Sequence, residues 1–242
     1  MTKIRIGTRG SPLALAQAHE TRRRLMAAHG LPEEEFEIVV ITTTGDRIRD
    51  RPLSEIGGKG LFTAELENQL LTGDLDFAVH SSKDMATRLP EGLEIMAYLP
   101  REDVRDAFVS PKAPDLMALA YGAMVGTASL RRQALVRKLR PDLQVKIFRG
   151  LVDTRLRKLA DGDADATLLA FAGLKRLGKP EVATQVLDPE IFPPAPAQGA
   201  ICIEARSDRA EIRSLLAPIN DAATFAAVTC GRVSGEERSR CR

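Results

Sequence analysis

Four times along this chain an apolar run breaks into a short Gly/Ser/Thr turn carrying positive charge, and apolar residues then resume at helical spacing. The four turns are Thr8-Arg9-Gly10-Ser11, His80-Ser81-Ser82-Lys83-Asp84, Gly126-Thr127-Ala128-Ser129-Leu130-Arg131-Arg132 and Arg149-Gly150-Leu151-Val152-Asp153-Thr154-Arg155. Strand-like runs alternating with helical stretches define βαβ units and a largely parallel sheet, hence an α/β fold. In an open sheet of that kind, strand ends and the helix N-termini after them gather along one edge, where ligands bind. Free backbone N–H groups there attract anions, and Arg or Lys adds full charge. Four such turns point to a ligand rich in carboxylates or phosphates.

The cations are local rather than global. Lys plus Arg number 35 against 33 Asp plus Glu, for a net charge of +2. Near-neutrality, with 4% aromatic residues and no Trp, argues against nucleic acid as the partner. No apolar h-region opens the chain and no apolar run reaches membrane-spanning length, so the expectation is a cytoplasmic protein with no membrane partner. Cys202, Cys230 and Cys241 are odd in number and lack metal-ligand spacing, so no metal site is expected.

At 242 residues the chain is long enough for two domains. Ile4 to Gly7 reads as a strand, and Ser11-Pro12 opens a helix running to about His29, with Gly30 as its stop. Phe36 to Thr42 is apolar almost throughout, which predicts a strand buried on both faces. Gly45 to Ile56 is polar and reads as mobile; a helix follows over Phe62 to Leu71, then strands at Asp76–Val79 and Leu93–Leu99. Beyond Pro100-Arg101-Glu102-Asp103 the pattern repeats: strands at Ala107–Val109, Met124–Gly126, Gln144–Phe148 and Thr167–Ala170, with helices at Leu130–Leu139, Val152–Ala160 and Leu174–Leu177. The proline-rich stretch Phe192 to Gly199 reads as a stiff linker, and the strand Ala200–Glu204 after it returns to the first sheet. Two crossings imply two hinged lobes: residues 1–99 with 197–218, and 104–193.

Several residues carry the chemistry. Lys83-Asp84 closes a strand, where a carboxylate beside cations serves as an acid/base or charge stabiliser, or else is a surface Lys and a helix-capping Asp. Arg131-Arg132 stands in a first helical turn, where the dipole disfavours cations, so the pair calls for an anionic partner, or else belongs to a solvated basic face shared with Arg137, Lys138 and Arg140. Arg149 and Arg155 flank Gly150 and bring two guanidiniums toward one edge. Lys59, within Gly57-Gly58-Lys59-Gly60, can cradle an anion, although a Gly-rich loop alone says little. Lys175-Arg176 reads by itself as a solvated helix face, His19 as structural or exposed, His80 as ambiguous and Cys202 as packed in a strand.

Five segments in order, Arg9-Gly10-Ser11-Pro12-Leu13-Ala14-Leu15, Gly57-Gly58-Lys59-Gly60-Leu61-Phe62, Ala78 to Asp84, Gly126 to Arg132 and Ala172-Gly173-Leu174-Lys175-Arg176-Leu177, resemble the porphobilinogen deaminase (hydroxymethylbilane synthase) family. The resemblance runs from Ile4 to about Pro218. It implies two doubly wound lobes built like periplasmic binding proteins with a hinge, a smaller third α+β domain, and a dipyrromethane cofactor held through a cysteine thioether. The implied reaction joins four porphobilinogen units head to tail with release of ammonia, in tetrapyrrole (heme) biosynthesis, by a monomer. Each pyrrole bears an acetate and a propionate, so the growing chain is a polycarboxylate. By resemblance Asp84 is the catalytic carboxylate that meets pyrrole N–H groups. Lys83, Arg131, Arg132, Arg149, Arg155 and Arg176 match carboxylate-holding positions, with Arg9 and Ser11 beside them, and Thr127 and Ser129 match cofactor-contacting ones.

The chain departs from the family pattern at Glu55, Val104, Leu151 and Ala197, the last replacing the first glycine of a Gly-Gln-Gly. After Cys230 it departs in kind: Gly231 to Arg242 is polar and has no apolar stripe. The expectation is that 219–242 is a remnant of the third domain, loosely held from Gly231, and that the chain is a truncated, weakly active form. Cys241 stands within one residue of the attachment position and is the candidate anchor. A different class, a non-enzymatic two-lobe module binding an anionic small molecule, would use the same cationic turns.

Overall fold

The computed structural model describes residues 3–47 and 61–240, with 232–240 by backbone alone. The chain forms two units, the first holding residues 3–47, 61–102 and 196–240 of those described and the second 103–195.

In the first unit β1 (Ile4–Arg9) leads into α1 (Pro12–His29). Ser11 caps this helix, its Oγ accepting a hydrogen bond from the Ala14 N–H, and Pro12 occupies the first turn, where a missing N–H costs nothing. Gly30 ends it at φ 66°, a left-handed conformation open to glycine without a Cβ penalty. There follow β2 (Phe36–Ile41), α2 (Thr44–Arg47), α3 (Ala64–Thr72), β3 (Phe77–Ser81) and β4 (Leu93–Tyr98). After the second unit come β10 (Ile201–Arg206), α7 (Ala210–Leu216) and α8 (Ala222–Arg240). The sheet order is β2-β1-β3-β10-β4, with β10 antiparallel to both neighbours and the other strands mutually parallel. One face packs Ile6, Leu25, Phe77, Ile201, Ile203 and Leu216, and the other packs Leu66, Leu70, Leu75 and Leu93.

The second unit contains β5 (Asp106–Val109), β6 (Met124–Gly126), α4 (Leu130–Leu139), β7 (Gln144–Lys146), α5 (Val152–Ala160), β8 (Ala166–Ala170), α6 (Phe171–Arg176) and β9 (Gln185–Val186). Its order is β7-β6-β8-β5-β9; β6 is parallel to β7 and β8, whereas β5 is antiparallel to β8 and β9. Phe108, Val125, Val136, Leu168 and Phe192 fill one side, and Val109, Leu159, Leu169 and Leu174 the other.

Four sequence expectations change. β2 is an edge strand with Val40 exposed, so its apolar run does not report burial on both faces. Each sheet is mixed, because one strand runs against the rest. Within the stretch read as mobile, Thr44–Arg47 is helical, closed by a hydrogen bond from the Gly45 N–H to the Leu61 carbonyl at 2.7 Å. The linker is only partly exposed: Phe192, Ala197 and Gln198 are buried, and Ala197 adopts φ 59°. A left-handed alanine costs on the order of 1–2 kcal/mol, which explains the appeal of glycine there.

Ahead of Gly231, from which the sequence predicts a loosely held tail, the chain is docked on the first unit. Residues 222–231 dock on β4: Tyr98 N–H donates to Asn220 Oδ1, Arg101 N–H donates to Thr224 Oγ1, and Val228 is buried. The Tyr98 and Phe225 rings meet edge to face at 5.5 Å. From Gly231 the backbone continues helical to Arg240. A docked first half supplies the nucleus, and Glu236, Glu237, Arg238 and Arg240 extend it as good helix formers.

Candidate functional site

Parallel pairing of β1 with β3 brings their C-terminal ends to one edge of the first sheet, and antiparallel β10 starts at that same edge, Ile201 opposite Ser81. A cleft of about 60 Å³ opens there, lined by Arg9, Ser11, Gln17, Phe62, Ser81 and Asp84, with Thr63 and His80 in its wall. Two of the cationic turns seen in the sequence therefore meet. Asp84 ends a short 3-10 turn over Ser82–Asp84 and is exposed, as is Lys83. Beneath them Ser82 N–H donates to the Ala200 carbonyl at 3.0 Å, and Gln17 Nε2 donates to Ser81 Oγ at 2.8 Å, so the turn that carries Asp84 is tied to β10 and to α1.

Arg9 has an internal partner. Its Nε donates to Asp46 Oδ2 at 3.1 Å, its terminal nitrogen pairs with Oδ1, and its guanidinium lies 4.2 Å over the Phe62 ring. Burial alone would raise the Asp46 carboxyl, but hydrogen bonds from Arg9 and Thr43 and the Arg9 charge prevail and hold it below the usual carboxylate range. Arg9 is thus a fixed wall of the cleft. Asp46 escaped sequence reasoning because it lies within the stretch read as mobile, and Phe62 because it read only as the start of a helix.

Behind the cleft lies a buried polar cluster. His80 Nε2 is 3.1 Å from Glu204 Oε2, and both side chains are nearly or wholly inaccessible. Glu67, on α3, is buried as well; desolvation raises its carboxyl and the Glu204 charge adds to this, against smaller opposing effects of Thr63 and His80.

In the second unit β6, β7 and β8 end at one edge, and antiparallel β5 begins there with Asp106 opposite Ala170. The turn after β6 places Thr127 and Ser129: Ser129 N–H donates to Thr127 Oγ1 at 3.2 Å, and Ser129 Oγ caps α4 by accepting from Arg132 N–H. Thr127 is buried. The anion that Arg131 and Arg132 call for is inside the protein. Asp106, with no exposed surface, accepts from Arg132 Nε at 3.2 Å and its terminal nitrogen at 2.7 Å, and pairs with Arg131 at 2.8 Å. Arg132 also donates to the Leu168 carbonyl at 2.9 Å and is only 6% exposed. The Arg131 side chain keeps 24% of its surface, donates to the Pro193 carbonyl at 2.6 Å and lies 6.0 Å from the Phe192 ring.

The turn after β7 carries Arg149 and Arg155, both half-buried; Arg155 Nε donates to the Gly150 carbonyl at 2.8 Å. Gly150 sits at φ 123°, and a Cβ there would come within 2.8 Å of Thr154, so this tight turn requires glycine. Arg176, half-buried, ends α6 after β8. In the second unit Thr127, Ser129, Arg131 and Arg132 thus follow β6 and Arg149 and Arg155 follow β7, two strands that end at the same edge, while Arg176 lies at the far end of α6 after β8. Lys59 and Cys241 lie outside the described residues. Cys202 is buried, Cys230 is exposed, and neither forms a disulfide. No helix among the described residues is long and apolar enough to cross a membrane.

Residues 4–214 match the family model for "Porphobilinogen deaminase, dipyromethane cofactor binding domain". Over 229 residues the chain is 60% identical to the porphobilinogen deaminase of Paracoccus denitrificans, spanning 95% of this chain and 73% of that protein. Among solved structures, it resembles a periplasmic substrate-binding protein of an ABC transporter from Coxiella burnetii, at TM-score 0.53 and 14% identity over 96% of this chain and 98% of the other. It also resembles immunogenic lipoprotein A from Vibrio vulnificus, at TM-score 0.54 and 14% identity over 94% and 99% of the two chains. At such identities these two likenesses establish the two-lobe α/β fold and nothing more.

Proposed function

Since this chain belongs to the porphobilinogen deaminase family, we propose that it is a transferase joining four porphobilinogen units head to tail into hydroxymethylbilane, releasing ammonia at each addition. It works in tetrapyrrole biosynthesis, as a cytoplasmic monomer, on a small-molecule substrate. The observation that carries the reading is Asp84: an exposed carboxylate lining a cleft whose turn is braced from two sides.

The residues present fit the family's dipyrromethane group by chemistry. Its pyrrole N–H groups need an acceptor, which Asp84 offers, and its acidic side chains need cations, of which Lys83 stands next to Asp84 in the same turn. When bound, the dipyrromethane supplies the pyrrole on which the chain begins. Asp84 accepts the N–H of an incoming porphobilinogen. As the C–N bond of the substrate's protonated aminomethyl group breaks, its electron pair goes to nitrogen, neutral ammonia leaves, and the positive charge that remains on the methylene pyrrole is offset by the Asp84 carboxylate. Lys83, Arg149, Arg155 and Arg176 hold acetate and propionate groups, with Lys59 as a further cation. Guanidinium forks suit that task because they bind a carboxylate through two hydrogen bonds. Arg131 presents its accessible side to ligand, while Arg132 holds the turn through Asp106. Ser11, Thr127 and Ser129 order the helix N-termini beside these cations.

Purified protein incubated with porphobilinogen tests the reading. Consumption of porphobilinogen with appearance of a linear tetrapyrrole is expected, together with an intact-mass excess of two linked pyrroles mapping to Cys241. No consumption and no added mass would overturn it.

A further inference from the structure

The acid–imidazole–acid cluster behind the cleft serves no purpose in packing. Glu204 has no exposed surface, His80 is 5% exposed and Glu67 7%. Their surroundings include Leu66, Leu70, Leu75 and Ala78, an apolar layer between α3 and the sheet. Both carboxylate oxygens of Glu204 and one of Glu67 are buried without a hydrogen bond. Buried ionisable groups that are imperfectly satisfied are poor stabilisers, and apolar replacements of similar volume often do as well or better. Their presence calls for another reason.

Register supplies it. On β3 and β10 Cys202 stands opposite His80 and Glu204 opposite Ala78, so His80, Cys202 and Glu204 share one face. Glu204 therefore reaches His80 diagonally across the ladder, and α3 lays Glu67 over the same face. His80 is the last residue but one of β3, its ring stands in the wall of the cleft, and the Ser82–Asp84 turn begins two residues later.

We propose that Glu204 and Glu67 act through His80 as positioning residues for the Asp84 turn, Glu204 as the group paired with the imidazole and Glu67 as the second buried acid completing the cluster. This deepens the deaminase reading and rests on it. The groups facing Glu67 are His80 from β3, Glu204 from β10 and the Thr63 hydroxyl at the start of its own helix.

The test uses the full chain. Glu204→Gln should lower kcat for porphobilinogen at least tenfold while KM changes less than threefold, because the turn is displaced but the carboxylate-holding cations are untouched. Glu67→Gln, which keeps the side chain's shape and hydrogen-bonding groups, should retain kcat within about threefold, and Glu67→Leu should lose at least tenfold. Unchanged kcat in Glu204→Gln or in Glu67→Leu overturns the proposal, and so does a loss in Glu67→Gln equal to that in Glu67→Leu. A readout independent of turnover separates this from failure of the deaminase reading. The His80 ring proton in the wild-type chain should exchange slowly with solvent by NMR, distinct from exposed His19 and His29, and Glu204→Gln should shift its resonance. Fast exchange in the wild type overturns the cluster even if the enzyme is active. A wild type that never consumes porphobilinogen, yet shows the protected ring, refutes the deaminase reading alone.

Discussion

Replacing Asp106 by Asn tests whether the second unit's arginine pair is part of the fold. Asp106 is fully buried and holds two guanidiniums at once: Arg132 by two hydrogen bonds of 3.2 and 2.7 Å, and Arg131 at 2.8 Å. Asparagine keeps the size but removes the charge, and its amide group can donate where only acceptance is useful. Arg132 cannot escape to solvent, since its other terminal nitrogen is bonded to the Leu168 carbonyl. Both arginines stand in the first turn of α4, where the helix dipole already opposes them. Breaking a buried pair by removing one partner costs about 3–5 kcal/mol. At about 2–4 °C per kcal/mol for a chain of this size, the melting temperature should fall by roughly 6–20 °C. Scanning calorimetry or urea titration followed by circular dichroism reads this directly. The double variant Asp106→Leu with Arg132→Met removes both buried charges and should be less destabilised than Asp106→Asn alone. If Asp106→Asn melted within about 2 °C of the wild type, the carboxylate would not be what holds the arginines in the fold.

Asp84→Asn should leave thermal stability unchanged, because Asp84 is exposed, while lowering kcat by about 100-fold or more, the usual effect of losing one contact of this electrostatic kind; porphobilinogen consumption checks it. Gly126→Ala should destabilise by about 1–3 kcal/mol, since the new Cβ would lie 2.6 Å from the buried Phe148 ring, and a urea titration measures it. Glu67 has a raised carboxyl pKa in the folded chain, so its contribution to stability is complete below its unfolded value and lost as pH rises through the folded one. Glu67→Gln should therefore flatten the fall in melting temperature as pH rises above the ordinary carboxylate value, and an unaltered slope would refute the assignment.

The sequence rendered the local grammar well because local chemistry determines it. Ser11, Pro12 and Gly30 bound α1 by capping and by backbone conformation alone, and the same logic puts α4 at Leu130–Leu139 behind Ser129. The site turns were legible for the same reason. What remained hidden depends on neighbours far along the chain. An edge strand and a central one look alike as sequences, so Phe36–Ile41 reads as buried on both faces until the sheet order is known. Arg131 and Arg132 announce that they need an anion, but nothing near them says which, because Asp106 precedes them on a strand running the other way.

That reversed strand is a device common to both units. Written edge to edge, the sheets are β2-β1-β3-β10-β4 and β7-β6-β8-β5-β9, and the antiparallel member stands fourth in each. A strand running against its neighbours brings a carboxylate to groups that a parallel crossover would have supplied with backbone N–H donors alone. In the first unit Glu204 on β10 reaches His80 beside it; in the second Asp106 at the start of β5 reaches the arginines that follow β6. Both acids are wholly buried, and each meets a residue at or beside the start of a turn that follows a strand of its own sheet. The consequence is a division of labour between charges. Fixed acids inside each sheet hold the cations and the imidazole in place, and under the proposed function Asp84 and Lys83 in the first unit, and separately the accessible side of Arg131 in the second, are the groups offered to ligand. Neutralising an inner acid should therefore register first in melting temperature or kcat, and neutralising Lys83 first in KM.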